Sequence, residues 1–269
     1  MIHATAIVDE GVREQLRGDD RVEIGPFAVV EAGVVLGANC RIAAHAVIKT
    51  GTRLDEGVVI DHHAVIGGQP QDITFDPRVS SGVWIGAGTV VREGVTVHRA
   101  TVEGRETRVG AGCFLMALAH VAHDCEIEEG VILANASMLG GHVSVGKKAF
   151  ISGGVVVHQF VRIGESVMCS GNGRFSMDVP PFSIGAERNY VGGLNLVGMR
   201  RRGFSSETIT DIKNCYYAVY PAIAANPATL AAKALAAGLA STAEGRRFLE
   251  FFTAAGRRHQ FVRRHSGTL

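Results

Sequence analysis

The sequence predicts an all-β parallel β-helix over its first two-thirds, followed by a C-terminal α-helical domain. Three observations predict this. An aliphatic residue recurs at every sixth position over most of residues 24–163. Gly is abundant, at 34 residues, while aromatics make up only 6% of the chain, which suits a regular core of small and aliphatic side chains. After about residue 190 the period of six gives way to helix caps and helical spacing.

Stepping by six from Ile24 gives Val30, Leu36, Ile42, Ile48, Leu54, Ile60 and Ile66. The frame breaks over residues 69–82, resumes at Ile85, Val91 and Val97, and breaks again over residues 100–106. It returns at Val109 and runs through Val121, Leu139 and Val157 to Ile163. Two positions before these residues the side chain is small or β-branched, as at Ala28, Val34, Cys40, Ala46 and Thr52. Just after them Gly is frequent, as at Gly25, Gly37 and Gly67, where a tight corner needs an unusual backbone conformation. Each hexad therefore reads as a short strand plus a corner. Three hexads make one triangular coil, and stacked coils pair at roughly 4.8 Å. The segment around residues 13–21 reads as a plain surface insertion. The break at 69–82 is a loop thrown out of the prism, the kind of excursion that carries function.

The five cysteines show no C-x-x-C pair, which fits reduced thiols. Cys40, Cys113 and Cys125 fall on the small inward position and Cys169 on the aliphatic one, so they read as core side chains. The net charge of +1 gives no argument for nucleic acid or membrane as a partner, and the basic stretches lack the interleaved aromatics of an RNA-binding motif, so no nucleic acid is expected. No run of apolar residues is long enough for membrane insertion, and the N-terminus lacks a basic, apolar signal core, so the expected location is cytoplasmic.

In the tail, residues 194–202 read as a short helix ended by Gly203. Ser205 or Ser206 caps a helix over about 207–220. Asn226-Pro227 opens an Ala/Leu-rich helix to about residue 239, and Ser241-Thr-Ala-Glu244 is a capping box before a helix over 245–255. Arg200, Arg201, Arg202, Arg246, Arg247, Arg257, Arg258, Arg263 and Arg264 make this tail basic. That is either a solvated helix face or a dock for an acidic partner or phosphates.

Positions eighteen apart share one face, so Val121, Leu139 and Val157 form a column. His123, His142 and His158 follow them by two, three and one residues, and so emerge near one edge on consecutive coils; His98 and His120 lie close in register. Two chemistries fit. Three neutral histidines of this cluster could hold zinc with a water, as in a zinc hydratase, a reading that stoichiometric zinc on His98, His120 or His123 would support. Alternatively one imidazole is a general base, and His123-Asp124 favours this, because an acidic neighbour orients the ring. A scaffold protein would not need a histidine column, an ejected loop and an arginine cluster together.

Ordered motifs then carry a resemblance: Gly67-Gly-Gln-Pro-Gln-Asp72, Glu93-Gly-Val-Thr-Val-His-Arg99, Ala119-His-Val-Ala-His-Asp-Cys125, Ile132-Leu-Ala-Asn135, Gly141-His-Val-Ser144, Val157-His-Gln-Phe160, Asp178-Val-Pro-Pro181 and Met199-Arg-Arg-Arg-Gly-Phe204. With them the chain resembles the UDP-N-acetylglucosamine O-acyltransferases of lipid A biosynthesis, within the left-handed β-helix (hexapeptide-repeat) acyltransferases. The resemblance implies a left-handed coil, a catalytic domain over 1–187 and a helical domain over 188–269. It implies a homotrimer with sites between adjacent prisms, transfer of a 3-hydroxyacyl group from acyl carrier protein to the sugar 3-hydroxyl, and no cofactor. His123 matches the general base, with Asp124 beside it, and the Gly141 N–H matches an oxyanion donor. Asp72, with Gln71, matches the sugar contact. His98, His120, His142, His158 and Gln159 match pocket positions, and Asn195, Arg201 and Arg202 match nucleotide contacts. Gly171 falls near the position that limits acyl length.

The sequence departs from the family at Ile73-Thr74, where Leu-Lys is usual, around Gly171 in Cys169-Ser-Gly-Asn-Gly-Arg174, and in the tail at residues 187–193 and 197. The 3-amino sugar remains an alternative acceptor. The related N-acyltransferase on a UDP-amino sugar is another reading, though it usually carries an extra N-terminal uridine-binding domain.

Overall fold

The computed structural model describes residues 1–18, 21–221, 226–254 and 261–264. The six-residue period becomes three parallel sheets that form the sides of a prism. Along each coil the chain passes through a first sheet carrying Ile24, Ile42 and Ile60, a second carrying Val30, Ile48 and Ile66, and a third carrying Leu36 and Leu54. Most strands are two residues long, one side chain outward and one inward, as in Val47–Ile48 and His120–Val121. The inward residues stack coil on coil: Val97 pairs Val121, Val121 pairs Leu139, and Leu139 pairs Val157. Ile66 pairs Val97 across the long excursion, so neither break disturbs the column. Ile66, Val97, Val121 and Leu139 are all 0% exposed, and such burial stabilises by about 1.5–3 kcal/mol per side chain before entropy is counted.

Corners are sharp enough to force ordinary residues into the left-handed region. Asp124, His142 and Phe160 have φ of 57°, 60° and 66° at the second corner, between the second and third sheets. Lys148 and Ser166 do the same at the third corner, and Phe27, His45 and His63 at the first. The five cysteines are buried, and burial pushes their thiols above the ordinary range, Cys125 to about 12.

The N-terminal segment differs from the expected insertion. Residues Glu10–Gln15 form a helix, α1, capped by Asp9, and its Val12 is 1% exposed, because the first coil leaves an open apolar end that something must cover. After the last coil Ser183–Ala186 continues the first sheet, and Tyr190–Leu194 joins it antiparallel. That strand delays the next helix, so α2 spans Leu196–Arg201, with Asn195 as its cap. Helix α3 is Ser206–Val219, capped by Ser205. Helix α4 is Pro227–Ala236, shorter than expected because the chain turns at Gly238, φ 65°.

Helix α5, Ala243–Thr253, is capped by Thr242, not through a Ser241–Glu244 box. The reason is Asp211 on α3. Its carboxylate accepts from the N–H of both Ser241 and Thr242, and Thr242 Oγ1 in turn accepts from Gly245. Ile212, Cys215 and Tyr216 of α3 and Phe248, Leu249 and Phe252 of α5 form the tail's apolar centre. Arg162 ties the tail to the prism: it bonds Asp178 at 2.8 Å and the Phe251 carbonyl at 2.9 Å. Of the basic residues, Arg257 and Arg258 lie outside the described residues.

Candidate active site

His123 and Asp124 are neighbours in sequence, and on a straight strand their side chains would diverge. They meet because Asp124 turns the second corner. Its Oδ2 lies 2.8 Å from His123 Nδ1. The same carboxylate accepts from Thr101, through Oγ1 at 2.7 Å and the N–H at 3.1 Å, and the Asp124 N–H donates to Thr107 Oγ1 at 2.8 Å. Burial alone would raise the Asp124 carboxyl, but the donors from Thr101 and His123 outweigh it and hold the group below the ordinary carboxylate range. An ionised Asp124 fixes the His123 proton on Nδ1 and leaves Nε2 as the acceptor.

One coil on, Gly141 lies under the ring, so close that a β-carbon there would stand 2.6 Å from His123 Nε2. Among the described residues the Gly141 N–H has no backbone acceptor, whereas those of Gly140 and His142 bond Val157 and His123 carbonyls. His142 meets the His123 ring edge-on, centroids 5.1 Å apart, with Nε2 3.7 Å from Asp124 Oδ2. Phe160 stacks flat on His142 at 4.5 Å. The expected column of three histidines is thus corrected. The residues eighteen and thirty-six beyond Asp124 are His142 and Phe160, while His158 lies two residues before Phe160, exposed, with Nδ1 3.2 Å from the Gln159 carbonyl. Gln159 is also exposed, stacked above Gly141 in the coil.

His98 and His120 meet edge to face at 4.7 Å, beside His123 on the second sheet. His98 is 7% exposed and its buried Nδ1 has no partner among the described residues, while His120 Nδ1 lies 2.7 Å from Thr96 Oγ1. Desolvation, then repulsion from His120 and His123, lowers the His98 pKa from 6.5 to about 4, and His120 moves in the same direction. Both rings are therefore neutral at pH 7.

The long excursion returns towards this corner. Arg99 holds it by bonding the Val79 carbonyl, and the Pro77 carbonyl at 2.9 Å, and by lying over the Phe75 ring. Asp72 on that loop accepts from Thr74 N at 2.8 Å and Thr74 Oγ1 at 2.7 Å; these bonds, with smaller help from His123 and His142, lower its pKa. Thr74 thus orients Asp72 where a lysine was the usual expectation. Gln71 is exposed. An open cleft of about 500 Å³ runs from Asp124 and His142 past Arg105 and Arg108.

Other expected residues lie on other edges of the same chain. Asn195 caps α2 through Gly198 N at 3.0 Å and donates to the Ser166 carbonyl at the third corner. Arg202 bonds the Lys148 carbonyl at that same corner, and Arg201 is exposed beside it. Gly171 is at the first corner, stacked over Gly153. Sequence reasoning missed Thr101, Thr107 and Phe160. Thr101 and Thr107 flank the second excursion, and counting eighteen twice from Asp124 finds Phe160.

A prism of hexads with a histidine–carboxylate pair at one corner is the arrangement of a hexapeptide-repeat acyltransferase. The family profile described as bacterial transferase hexapeptide (six repeats) matches residues 19–50 and 106–141, and that described as UDP N-acetylglucosamine O-acyltransferase, domain 2, matches residues 178–260. An acyl-[acyl-carrier-protein]–UDP-N-acetylglucosamine O-acyltransferase of Campylobacter concisus is 40% identical over 217 residues, 80% of this chain and 81% of the relative. One from Halorhodospira halophila is 40% identical over 221 residues, 81% of this chain and 84% of the relative. The solved UDP-N-acetylglucosamine acyltransferase of Bacteroides fragilis superimposes with a TM-score of 0.86 at 36% identity, over 98% of this chain and 100% of that one. The chain belongs to the acyl-[acyl-carrier-protein]–UDP-N-acetylglucosamine O-acyltransferase family. Its repeats, its parallel sheets and this solved relative fit the left-handed β-helix.

Proposed function

We propose that this enzyme transfers a 3-hydroxyacyl group from acyl carrier protein to the 3-hydroxyl of UDP-N-acetylglucosamine, the first step of lipid A biosynthesis, with His123 as general base. A neutral sugar hydroxyl is a poor nucleophile at pH 7, so its proton must leave as it attacks. In this reading His123 Nε2 takes that proton while Asp124 holds Nδ1–H. The sugar oxygen bonds the thioester carbon, and charge developing on the thioester oxygen is met by the Gly141 N–H. The carbonyl re-forms as the C–S bond breaks, and the proton passes from His123 to the departing thiolate, which leaves as the carrier's thiol. Neutral His98 and His120 leave the site free of competing positive charge.

The observation that carries this reading is the 2.8 Å His123–Asp124 contact set against the open Gly141 N–H. The test is turnover of UDP-N-acetylglucosamine with carrier proteins loaded with chains of several lengths, run beside the 3-amino sugar. His123→Ala should abolish transfer with the assembly intact, and undiminished turnover would refute the base assignment.

The remaining assignments follow the same reading: Asp72 and Gln71 towards the sugar, with His142, His158 and Gln159 lining the pocket, and Gly171 at the acyl end. Asn195, Arg201 and Arg202 contact the nucleotide, where guanidinium suits a pyrophosphate. Within one chain these last three lie on the third corner, away from His123, so the reading calls for a neighbouring copy to supply them. Two apolar faces support a homotrimer. The second sheet exposes Ile7, Met138 and Val156, and the adjoining first sheet turns Phe114, Ile132 and Phe150 outward, whereas the third carries Arg53, Arg108 and Glu126. Apolar faces that share an edge let each copy contact two neighbours in a closed ring. The catalytic prism is read as 1–187 and the helical part as 188–269, whose arginines suit an acidic carrier protein. A cytoplasmic location is part of the same proposal; among the described residues no helix is long and apolar enough to cross a membrane.

Zinc chemistry has one observation behind it: His123, Asp124 and His142 each offer a ligand atom within 4.8 Å of the others. A cation there would compete with the His123–Asp124 bond and the Thr101 hydroxyl. Stoichiometric zinc required for turnover would replace the base reading.

A further inference from the structure

The second excursion begins and ends on Asp124. Thr101, at its start, gives both its hydroxyl and its N–H to the Asp124 carboxylate, at 2.7 Å and 3.1 Å. Thr107, at its end, is 0% exposed and accepts the Asp124 N–H at 2.8 Å. Asp124 itself stands at φ 57°, in the left-handed corner conformation that aspartate adopts more readily than most residues. The residues between depart from the six-residue frame and return to it, so the excursion clamps one residue, with Thr101 on its carboxylate and Thr107 on its backbone N–H.

We propose that Thr101 is a positioning residue for acyl transfer, the third member of a Thr101–Asp124–His123 chain. This rests on His123 being the base. The Thr101 hydroxyl and His123 Nδ1–H converge on the same oxygen, Oδ2, while the Thr101 N–H also reaches Oδ1 at 3.2 Å. Those contacts hold the carboxylate in one rotamer, with Oδ2 aimed at Nδ1. Without the hydroxyl, Asp124 is free to turn towards His142 Nε2, already 3.7 Å from Oδ2, or towards the cleft. His123 would then lose the partner that fixes its tautomer and keeps Nε2 as the acceptor. Thr101 touches neither substrate nor the reacting atoms in this account, so its removal affects the rate of the chemical step and not the binding of the sugar nucleotide.

The test compares Thr101→Val, Thr101→Ala and Thr101→Ser with His123→Ala in the intact protein. Thr101→Val keeps the size and the N–H but loses the hydroxyl. Its kcat is expected to fall by about tenfold or more, the loss expected from one charge-assisted hydrogen bond in the transition state. KM for UDP-N-acetylglucosamine should stay within about twofold, because binding contacts are untouched. Thr101→Ser should restore most of kcat. Thr101→Ala guards against a folding defect peculiar to valine, and thermal midpoints are read for all four proteins. Unchanged kcat in folded Thr101→Val and Thr101→Ala, with His123→Ala inactive, overturns the role of Thr101 and leaves the base standing. Full activity in His123→Ala overturns the base assignment itself. A rise in KM with kcat unchanged, or failure of serine to rescue, would make Thr101 a structural residue and overturn the proposal.

Discussion

A β-carbon on Gly141 would stand 2.5 Å from Cε1 and 2.6 Å from Nε2 of His123. Real β-carbons do not approach other atoms so closely, so the two residues are fitted to one another. Gly141 is not in the left-handed region, so alanine suits its backbone. The three nearest atoms such a β-carbon would meet all belong to the His123 ring. Gly141→Ala should therefore swing His123 away from Asp124 and lower kcat by about 100-fold, the scale of loss for a misplaced catalytic group, while the protein still folds. Steady-state kinetics beside a thermal melt would check this. A variant with normal kcat would show that the ring position is irrelevant to turnover.

Asp124 shapes the backbone as well as the base, and an amide separates the two. Asparagine tolerates the left-handed corner at φ 57° as well as aspartate does. It cannot, however, accept at one oxygen from both His123 and Thr101 as a full anion, and its NH2 favours the wrong imidazole tautomer. Asp124→Asn should lower kcat by about 10²–10⁴, by analogy with orienting carboxylates in other His-dependent sites. KM should change little. A kcat within threefold of normal would mean the carboxylate does not orient the base.

Much of this was legible in the sequence, because a solenoid writes its geometry as a period. The hexads gave the core, the two excursions and the edge on which His123 stands. The error at His158 came from treating offsets of one, two and three residues as equivalent. Only the offset of three falls on the corner residue itself, the position of Asp124, which puts Phe160 and not His158 over His142. The segment over 13–21 reads as surface because it lies outside the repeat, yet the helix in which it begins buries Val12 against the open end of the prism. Thr101 and Thr107 were not legible, since their importance lies in contacts across a loop of irregular length. The Thr242 cap depends on Asp211, about thirty residues away, and no local pattern records it.

His98 should make the protein acid-sensitive. Its folded-state pKa is about 4, below the ordinary 6.5, so between those values the unfolded chain binds more protons than the folded one. Stability contributed by the neutral ring is present above about pH 6.5 and is lost as pH falls towards 4, to a total of about 3 kcal/mol. His120 shifts in the same direction and adds to the slope. Asp124 and Asp211, held low, lose their contributions only at more acidic pH. Denaturant melts between pH 4 and 7 should slope upward with pH, and His98→Leu should flatten that slope. An unaltered slope in the leucine variant would place the acid sensitivity elsewhere.

Gly171 offers a prediction about substrate length. A β-carbon there meets only the Gly153 carbonyl, at 3.6 Å, an ordinary contact, and the residue does not need positive φ. A larger side chain can therefore leave the first corner outward without moving the backbone, so Gly171→Met should change stability by no more than about 0.5 kcal/mol. If the acyl chain ends against this corner, methionine fills the space its last methylenes occupy. Each excluded methylene forfeits about 0.8 kcal/mol, close to fourfold in kcat/KM, so the preference should move to shorter chains. The measurement is kcat/KM across carrier proteins loaded with 3-hydroxyacyl groups of increasing length. A uniform fall at every length would point to damage at the site, and an unchanged optimum would remove Gly171 from the acyl pocket.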